Sequence, residues 1–431
     1  MSHHDYLLRN MRALRDRNML GLRVRTLRNE PNHYLLEGLD DRKVCGFLSC
    51  SYLGLEWDRR LADAAVTAIE DYGTQFSSSR AIASTAHYAA IEERLCAVMG
   101  VRPVIASTST LAHLSAIPLL ASEEDAVILD TQVHNSVHMA VRQCTLAGTA
   151  TFRIPHNDLA ALEGHIVRLR KDGKRRIWYM ADGLYSMYGD FADMEALFRL
   201  MARYDNFHCY IDDAHSVGWI GRHGAGHAAP WFHEPHADRM VVVGSMAKTF
   251  AACGGMVLTP RDEWRELIAS CGETMIFSGP LQPAVCGSLL AACDIMRSAE
   301  LPLLQATLRD HIAFFGSAVQ SHQLRSLSSG RSPIFLLEIG SMERLQALSA
   351  HLLESGYYVP PVTFPAVPLN RFCIRVVINR LHTRAQMLGL VEVLAQFESK
   401  HPRAGSAEHQ VPRKGSADLT QPCAPQREAI T

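Results

Sequence analysis

Apolar and polar residues follow two alternating patterns through the middle of the chain. Near-continuous apolar runs, typical of strands buried on both faces, occur at residues 126–129, 151–154, 176–180, 208–211, 239–243 and 255–258. Segments with apolar residues three or four positions apart, typical of helices, lie between several of these runs at residues 112–120, 136–144, 159–170 and 194–204. The alternation predicts an α/β fold with a mostly parallel sheet flanked by helices and connected by right-handed crossovers.

The pattern differs at the two ends of the chain. Leu7, Leu8, Met11 and Leu14 recur at helical spacing, so roughly the first 30 residues are predicted to be helical. A strand-like run follows at residues 44–52. Beyond residue 290 an α+β pattern predicts helices and strands at residues 287–296, 302–321, 334–339, 342–354, 372–378 and 384–397. The predicted organisation is an N-terminal helical segment (1–45), a large domain (46–290), a small α+β domain (291–400) and a disordered tail (401–431).

Composition narrows the class of protein. The 431 residues carry 43 Lys and Arg against 44 Asp and Glu, a formal net charge of -1, which argues against a nucleic-acid-binding protein. No apolar run is long enough for a membrane span, and the charged N-terminus does not resemble a secretory signal. The 11 cysteines include no Cys-x-x-Cys pair, and no His-Glu-x-x-His occurs, so no metal site is predicted. These features indicate a cytoplasmic globular enzyme.

Asp212 and His215 follow the apolar run at residues 208–211. Ligands of open α/β sheets bind outside the carboxyl ends of the strands, where a carboxylate needs a cation or donors as partners. On these two residues alone, a turn-capping aspartate and an ordinary polar histidine explain the pattern equally well.

Lys248 follows the apolar run at residues 239–243 and lies among apolar neighbours, where its amine is a usable nucleophile. Ser245, three residues earlier, can offer a hydroxyl to a phosphate. A surface lysine and a turn serine are the simpler alternatives for each residue taken singly.

Two further segments carry candidate ligand-binding residues. His134 follows the strand-like run at residues 126–129 and can stack on a flat ring, although a loop histidine is as good a reading. Residues 106–112 (Ala-Ser-Thr-Ser-Thr-Leu-Ala) precede a helix, so the amides near Thr110 and Leu111 can cradle a phosphate; a plain N-cap is the alternative.

Together these groups are those that pyridoxal 5′-phosphate (PLP) requires. They comprise a phosphate cradle, a ring-facing histidine, a carboxylate for the pyridine nitrogen and a lysine for the aldehyde. The cradle comes first, and Lys248 follows Asp212 by 36 residues.

This order resembles the PLP-dependent α-oxoamine synthases of fold type I, and the likeness spans most of residues 45–400. The similar motifs are residues 51–55 (Ser-Tyr-Leu-Gly-Leu), 134–136 (His-Asn-Ser), 182–190 (Asp-Gly-Leu-Tyr-Ser-Met-Tyr-Gly-Asp), 212–215 (Asp-Asp-Ala-His), 244–248 (Gly-Ser-Met-Ala-Lys), 277–283 (Phe-Ser-Gly-Pro-Leu-Gln-Pro) and 332–334 (Ser-Pro-Ile). The resemblance implies a large domain with a seven-stranded sheet, a smaller C-terminal α+β domain and a homodimer with shared active sites.

The resemblance also implies roles for individual residues. Lys248 is the Schiff-base lysine, Asp212 pairs with the pyridine nitrogen and His134 stacks on the ring. His215 contacts the ring hydroxyl, and Ser186, a cofactor- and substrate-binding residue, is expected with His215 to orient the ring hydroxyl and the acyl carbonyl. The cofactor-binding residues implied in addition are Thr110, Leu111, Ser245 and, toward the neighbouring subunit's phosphate, Ser278. Arg375 aligns with the arginine that holds the amino-acid carboxylate.

The sequence departs from the family pattern at residues 73–80 (Gly-Thr-Gln-Phe-Ser-Ser-Ser-Arg), near the acyl substrate. Ser79 and Arg80 are therefore expected to contact substrate, while the acyl donor stays open. Gly279 removes a hydroxyl from the cross-subunit phosphate contact. A few residues around Lys248 are reminiscent of the autoinducer-synthase branch.

The expected function is decarboxylative condensation of a small amino acid with an acyl thioester, on CoA or a carrier protein, to give an α-aminoketone. A PLP-dependent aminotransferase or decarboxylase would share the cofactor contacts and is the first alternative. A non-catalytic partner subunit is the second, and the presence of Lys248 argues against it.

Overall fold

The computed structural model describes residues 3–364 and 366–403. Within them the chain forms two compact units. The first, which we call the terminal unit, comprises residues 3–57, 186–190 and 302–403, and the second, the central unit, comprises residues 58–185 and 191–301. The four predicted domains are consecutive segments and stay a prediction. All of the predicted tail except residues 401–403 lies outside the described residues.

The helices and strands are numbered here in chain order. The α-helices of the described residues are α1 (His3–Arg15), α2 (Arg59–Tyr72), α3 (Ala86–Met99), α4 (Ser109–Leu120), α5 (Asn135–Leu146), α6 (Leu159–Lys171), α7 (Met194–Arg203), α8 (Asp262–Cys271), α9 (Glu273–Ile276), α10 (Pro283–Arg297), α11 (Leu301–Ser321), α12 (Met342–Glu354) and α13 (Arg384–Lys400). The strands are β1 (Arg23–Thr26), β2 (His33–Glu37), β3 (Arg42–Gly46), β4 (Val104–Ala106), β5 (Ala126–Asp130), β6 (Ala150–Ile154), β7 (Ile177–Asp182), β8 (Phe207–Asp212), β9 (Met240–Ser245), β10 (Gly255–Leu258), β11 (Ile334–Glu338), β12 (Tyr357–Tyr358), β13 (Pro361–Val362) and β14 (Cys373–Val377).

A seven-stranded sheet forms the core of the central unit, in the order β4-β10-β9-β8-β7-β5-β6. Strand β10 is antiparallel to both neighbours, and the pairs from β9 to β6 are parallel. Strands β7, β8 and β9 are buried along their whole length, which explains their near-continuous apolar sequences. The predicted fold class, an α/β fold with a mostly parallel seven-stranded sheet, is confirmed.

Side-chain caps mark the N-termini of three helices in the central unit. Asp158 and Asp193 accept hydrogen bonds from the first-turn amides of α6 and α7, and Thr108 does the same for α4. Helix α4 is mostly apolar and packs into the core cluster with α5 and the sheet, through Ala112, Ala116 and neighbouring residues.

The terminal unit contains two small sheets. One has the order β1-β2-β3-β12 and the other the order β11-β14-β13. Helices α1, α11, α12 and α13 belong to the same unit. Its α+β character after residue 302 agrees with the helices and strands predicted there.

The predicted N-terminal helix is only partly right. Helix α1 ends at Arg15, and strands β1 to β3 follow instead of further helix. Leu14 is the last of the apolar residues at helical spacing, and the backbone turns left-handed at Asn18 and Gly21, with φ of 56° and 71°, so the helix does not continue. The strand predicted over residues 44–52 is also shorter, because β3 ends at Gly46.

Among the helices of the described residues, none is long and apolar enough to cross a membrane.

Gly287 allows the close approach of α10 to α2, because an added Cβ would collide with the carbonyl oxygen of Ala64. We expect Gly287→Ala to destabilise the protein by about 1–3 kcal/mol through overpacking. Gly164 in α6 is the matched control, since an added Cβ there meets nothing within 4 Å. Gly164→Ala should stabilise the protein by about 0.5–1 kcal/mol through helix propensity. Thermal unfolding of both variants tests the opposite signs, and a Gly287→Ala protein as stable as wild type would contradict the packing.

Candidate active site

Polar residues meet at the carboxyl ends of three adjacent strands in the central unit. Asp182 ends β7, Asp212 ends β8 and Ser245 ends β9, and the register pairs Asp182 with Asp212 directly. Lys248 lies three residues beyond the end of β9. Because parallel strands present their carboxyl ends at one edge, this edge is where a ligand is expected in an open α/β sheet.

Asp212 is 5% exposed and receives hydrogen bonds at both carboxylate oxygens. Its Oδ2 lies 2.9 Å from Nε2 of His113, and its Oδ1 accepts a bond of 3.1 Å from the Ala214 amide. The other ring nitrogen of His113 lies 2.9 Å from the hydroxyl of Tyr210. The carboxylate is therefore held in one orientation from both sides.

The two strand-end carboxylates have opposite pKa shifts. Burial opposes ionisation of Asp212, but its interactions with His113, which include a hydrogen bond, and with the nearby His134 and Lys248 hold its pKa below the ordinary value. Burial and the charge of Asp212 raise the pKa of Asp182 well above the ordinary value. One carboxylate at this edge is thus kept ionised and its neighbour is driven toward the protonated form.

His134 is the N-cap of α5, and its backbone amide donates to Asp182 Oδ1 at 2.9 Å. Its ring nitrogen Nδ1 lies 2.6 Å from the hydroxyl of Ser136. The His134 side chain is exposed on the surface of the unit. Desolvation by nearby protein atoms lowers its pKa, and this effect exceeds the opposite effect of the charge of Asp212. These contacts fix the imidazole on the same strand-end edge.

Lys248 lies in the short connection between β9 and the antiparallel β10. The connection is closed by a hydrogen bond of 2.9 Å from the Met246 amide to the Gly254 carbonyl. Ser245 is buried, and its hydroxyl accepts a bond of 3.2 Å from the Ala247 amide. Lys248 is partly buried, and its charge contributes to the pKa of both Asp182 and Asp212.

The first turn of α4 lies against the start of β10. A Cβ added to Gly255 would lie 2.5 Å from the Ser109 amide nitrogen, so only glycine permits this approach. The Leu111 amide donates to Thr108 Oγ1 at 3.1 Å as part of the helix cap. The amides of Ser109 and Thr110 are then the first-turn donors for an anion.

The described residues at this edge fit PLP. An ionised, buried Asp212 suits a protonated pyridine nitrogen, and Lys248 on the neighbouring strand suits the aldehyde. The helix terminus packed on Gly255 offers amides to the phosphate. Among the described residues, no group of three or more His, Cys, Asp or Glu side chains is placed to hold a metal ion.

His215 and Ser278 also belong to the central unit. His215 is 9% exposed, and its carbonyl accepts a hydrogen bond of 2.7 Å from Trp219 Nε1. The Ser278 hydroxyl donates to the Thr274 carbonyl of the same chain, whereas the preceding Phe277 side chain is 84% exposed. The structure gives Ser278 an internal partner, and its predicted role toward a second subunit stays a prediction.

Ser79 and Arg80 make structural contacts within the central unit. Arg80 forms an ion pair of 3.0 Å with Glu92, donates to the Ile105 carbonyl at 2.7 Å and lies 3.9 Å above the ring of Tyr88. The hydroxyl of Ser79 donates to the carbonyl of Ile276, the last residue of α9, at 2.6 Å. The guanidinium of Arg80 is thus largely engaged by the protein, and substrate contact by either residue stays a prediction.

Arg375 and Ser186 come together in the terminal unit. Arg375 Nε donates to the Ser186 carbonyl at 2.7 Å, so Ser186 contributes its backbone to this contact. Both terminal nitrogens of Arg375 lie 3.7 Å from Cys50 Sγ. Burial disfavours the charged guanidinium, but its interactions with Cys50 and Tyr52 raise the pKa of Arg375. The guanidinium therefore stays charged.

Sequence reasoning did not find His113 and gave Asp182 no role of its own. The sequence does carry a signal for His113, because this polar residue lies within a mostly apolar helix. A buried polar side chain needs hydrogen-bond partners, so its presence there indicates a specific contact. Its partner Asp212 is 99 residues away, so the pairing itself cannot be read from local spacing.

Comparisons with known proteins identify the family. Residues 43–394 match the family described as Aminotransferase class I and II. The chain is 32% identical over 360 residues to the 8-amino-7-oxononanoate synthase of Geobacter sulfurreducens, which covers 83% of this chain and 90% of that protein. It is 28% identical over 350 residues to the serine palmitoyltransferase of Bacteriovorax stolpii, which covers 81% of each chain.

Solved structures show the same fold. Serine palmitoyltransferase of Sphingomonas wittichii superposes with a TM-score of 0.83 at 22% identity, covering 93% of this chain and 98% of that one. The S. paucimobilis enzyme with bound PLP–myriocin aldimine gives 0.82 at 22% identity, with 92% and 97% covered. The fold is that of the PLP-dependent enzymes of fold type I, and PLP is the cofactor of the family. The chain belongs to the aminotransferase class I and II family and, within it, to the α-oxoamine synthases, which are acyltransferases.

The opposite pKa shifts predict opposite effects of two amide substitutions. Above its ordinary pKa of 3.8, Asp182 ionises more readily in the unfolded chain, so its contribution to stability falls as the pH rises toward its folded-state pKa. We expect Asp182→Asn, which keeps an acceptor for the His134 amide, to raise the free energy of unfolding at neutral pH. The gain should shrink as the pH is lowered toward 3.8.

Asp212→Asn is the matched comparison. Its lowered pKa stabilises the folded state above pH 3.8, and that stabilisation is lost as the pH falls through the folded-state pKa. The substitution should therefore destabilise the apoprotein at neutral pH. Urea unfolding of both variants across pH measures the two effects, and equal effects of the same sign would contradict the assignment.

Proposed function

We propose that the protein condenses a small amino acid with an acyl thioester, releasing CO2 and the thiol and forming an α-aminoketone. The observation that carries the proposal is the strand-end edge that brings Asp212, Lys248 and His134 together, in a chain of the α-oxoamine synthase family. The bond made joins the amino acid's α-carbon to the acyl carbon, and the bonds broken are the thioester and the α-carboxylate bonds.

The bound cofactor supplies an electron sink for charge that develops at the α-carbon of the amino acid. Asp212 preserves the positive charge of the ring nitrogen, because its carboxylate is buried, oriented and ionised. His134 restrains the ring by stacking. Ser245 and the first-turn amides of Ser109 and Thr110 would hold the phosphate end, while the predicted contact of the Leu111 amide would compete with its bond to Thr108 Oγ1.

Lys248 Nζ would hold the cofactor through its aldehyde and, as a free amine, would accept the α-proton of the amino acid as general base. His215 contacts the ring hydroxyl. Ser186 orients the acyl carbonyl, and Ser79 and Arg80 line the acyl side of the substrate. The Arg80 contact requires the side chain to keep its ion pair with Glu92 while a substrate group approaches.

Arg375 binds the carboxylate of the amino acid. Its guanidinium is fixed at Nε by the Ser186 carbonyl, and the carboxylate would bind the fork of the two terminal nitrogens, where Cys50 Sγ lies 3.7 Å away and Tyr52 also interacts. A sulfur at 3.7 Å is a poor competitor for that fork.

The active form is a homodimer with shared active sites, in which Ser278 acts toward the partner's phosphate. The exposure of Phe277 beside it, at 84%, supports an interface at this segment. Sedimentation of the active protein as a monomer would refute this arrangement.

The first experiment is a panel of small amino acids tested with acyl-CoA and with acyl carrier protein, following thiol release and CO2. We expect both products in equal amounts with one preferred amino acid and one type of thioester. Transfer of the amino group to an oxoacid without thiol release would move the assignment to an aminotransferase. Release of CO2 alone would make the enzyme a decarboxylase.

Lys248→Ala should abolish covalent cofactor binding and lower turnover by at least 1,000-fold, about 4 kcal/mol, because the nucleophile and the base are lost together. Borohydride reduction followed by peptide mass spectrometry locates the bound cofactor. Lys171→Ala is the matched control, since Lys171 is exposed at the end of α6. Condensation that persists in Lys248→Ala would overturn the role of this lysine.

Arg375→Lys should raise KM for the amino acid about tenfold or more, because a lysine cannot reproduce the planar fork. KM for the thioester should change little. Arg371→Lys is the control on the same chain segment, since Arg371 pairs with Glu338 at 3.6 Å. Steady-state kinetics with each substrate varied separates the two effects, and an unchanged KM for the amino acid would remove Arg375 from carboxylate binding.

A further inference from the structure

We propose that His113, backed by Tyr210, is a positioning residue that orients Asp212 and preserves its charge for pairing with the ring nitrogen of the cofactor. The proposal rests on PLP binding at the strand-end edge, and it concerns His113, which no sequence motif singled out. It gives a role to the buried hydrogen-bonded side chains of Tyr210 and His113, which take no direct part in the condensation.

The geometry is a linear chain of three side chains. Tyr210 Oη, His113 Nδ1, His113 Nε2 and Asp212 Oδ2 are connected by two contacts of 2.9 Å each. His113 is 0% exposed and Tyr210 is 1% exposed, so no water competes for these bonds. Tyr210 and Asp212 are two residues apart on β8, so their side chains lie on the same face of the strand.

The direction of the hydrogen bonds follows from the carboxylate. An ionised Asp212 can only accept, so Nε2 of His113 carries a ring proton and donates to Oδ2. Burial, together with the charge of Asp212, raises the pKa of Tyr210 well above its ordinary value, so the hydroxyl keeps the proton with which it donates to Nδ1 of His113. This tautomer supports the carboxylate with a neutral donor and leaves its negative charge for the cofactor.

A purely space-filling role does not account for this arrangement. Helix α4 is apolar except for its first turn, His113 and Ser115, and an apolar side chain at position 113 would avoid burying an imidazole. Both ring nitrogens have partners with good geometry, and the second oxygen of Asp212 is held by the Ala214 amide. The Asp212 carboxylate thus has one donor on each oxygen and a fixed plane.

Three variants separate the role of the donor from that of volume. His113→Met removes the donor and keeps an apolar side chain of similar length. His113→Gln places an amide N–H where Nε2 donates, and so should rescue the contact with Asp212. Tyr210→Phe removes the hydroxyl that fixes the tautomer and leaves His113 in place.

The readout is the 15N chemical shift of the pyridine nitrogen in holoprotein reconstituted with 15N-labelled PLP. It reports protonation of the ring nitrogen directly and needs no substrate, so it is independent of whether condensation occurs. Wild type and His113→Gln should show a protonated pyridine nitrogen. His113→Met should shift the signal to that of an unprotonated pyridine, and Tyr210→Phe should shift it part of the way.

A wild-type signal in His113→Met overturns the proposal. A signal in His113→Gln that matches His113→Met also overturns it, because volume or shape would then be the requirement. If His113→Met does not fold, Tyr210→Phe decides the question, and an unchanged signal in that variant overturns the role of the pair. Loss of condensation with a wild-type 15N signal would count against the proposed function alone.

Discussion

A carboxylate buried at the end of a parallel strand is the constraint on which the central unit depends. Removing Asp212 from water is costly, and the protein offsets the cost with a ring nitrogen, a backbone amide and the nearby His134 and Lys248. The strands on both sides supply these groups because their carboxyl ends meet at one edge. Burial and the charge of Asp212 raise the pKa of Asp182, so the neighbouring carboxyl group is driven toward its protonated form while Asp212 stays ionised.

Much of the fold could be predicted from the sequence, because parallel strands covered on both faces are apolar along their whole length. The runs that become β5, β7, β8 and β9 are of this kind, and so were found. Helices α2 and α3 were not predicted, and neither was the β1–β2 pair. All four residues of β1 are exposed, so its sequence lacks the apolar pattern by which a buried strand is recognised. The stop after Arg15 depends on left-handed backbone at Asn18 and Gly21, a feature weaker than the apolar spacing that precedes it.

The candidate site could be predicted as far as residues next to strand ends. Asp212, Lys248 and His134 each follow an apolar run, and one sheet edge brings them together. His113 could not be found in this way, since its function depends on a contact across 99 residues and on which helix face is turned to β8. For Ser79, Arg80 and Ser278 the sequence indicates a region, whereas the structure shows the protein groups that already bind their side chains.

The reversal of β10 links the two ends of the cofactor site. A parallel successor to β9 would need a crossover of a dozen or more residues, whereas residues 246–254 turn directly back into β10. The short turn carries Lys248, and the strand it leads into begins at Gly255, against the first turn of α4. The amine and the anion cradle are therefore mechanically coupled through one peptide segment. Inserting or deleting a single residue there would displace both together, so the length of this turn is as restricted as the identity of its lysine.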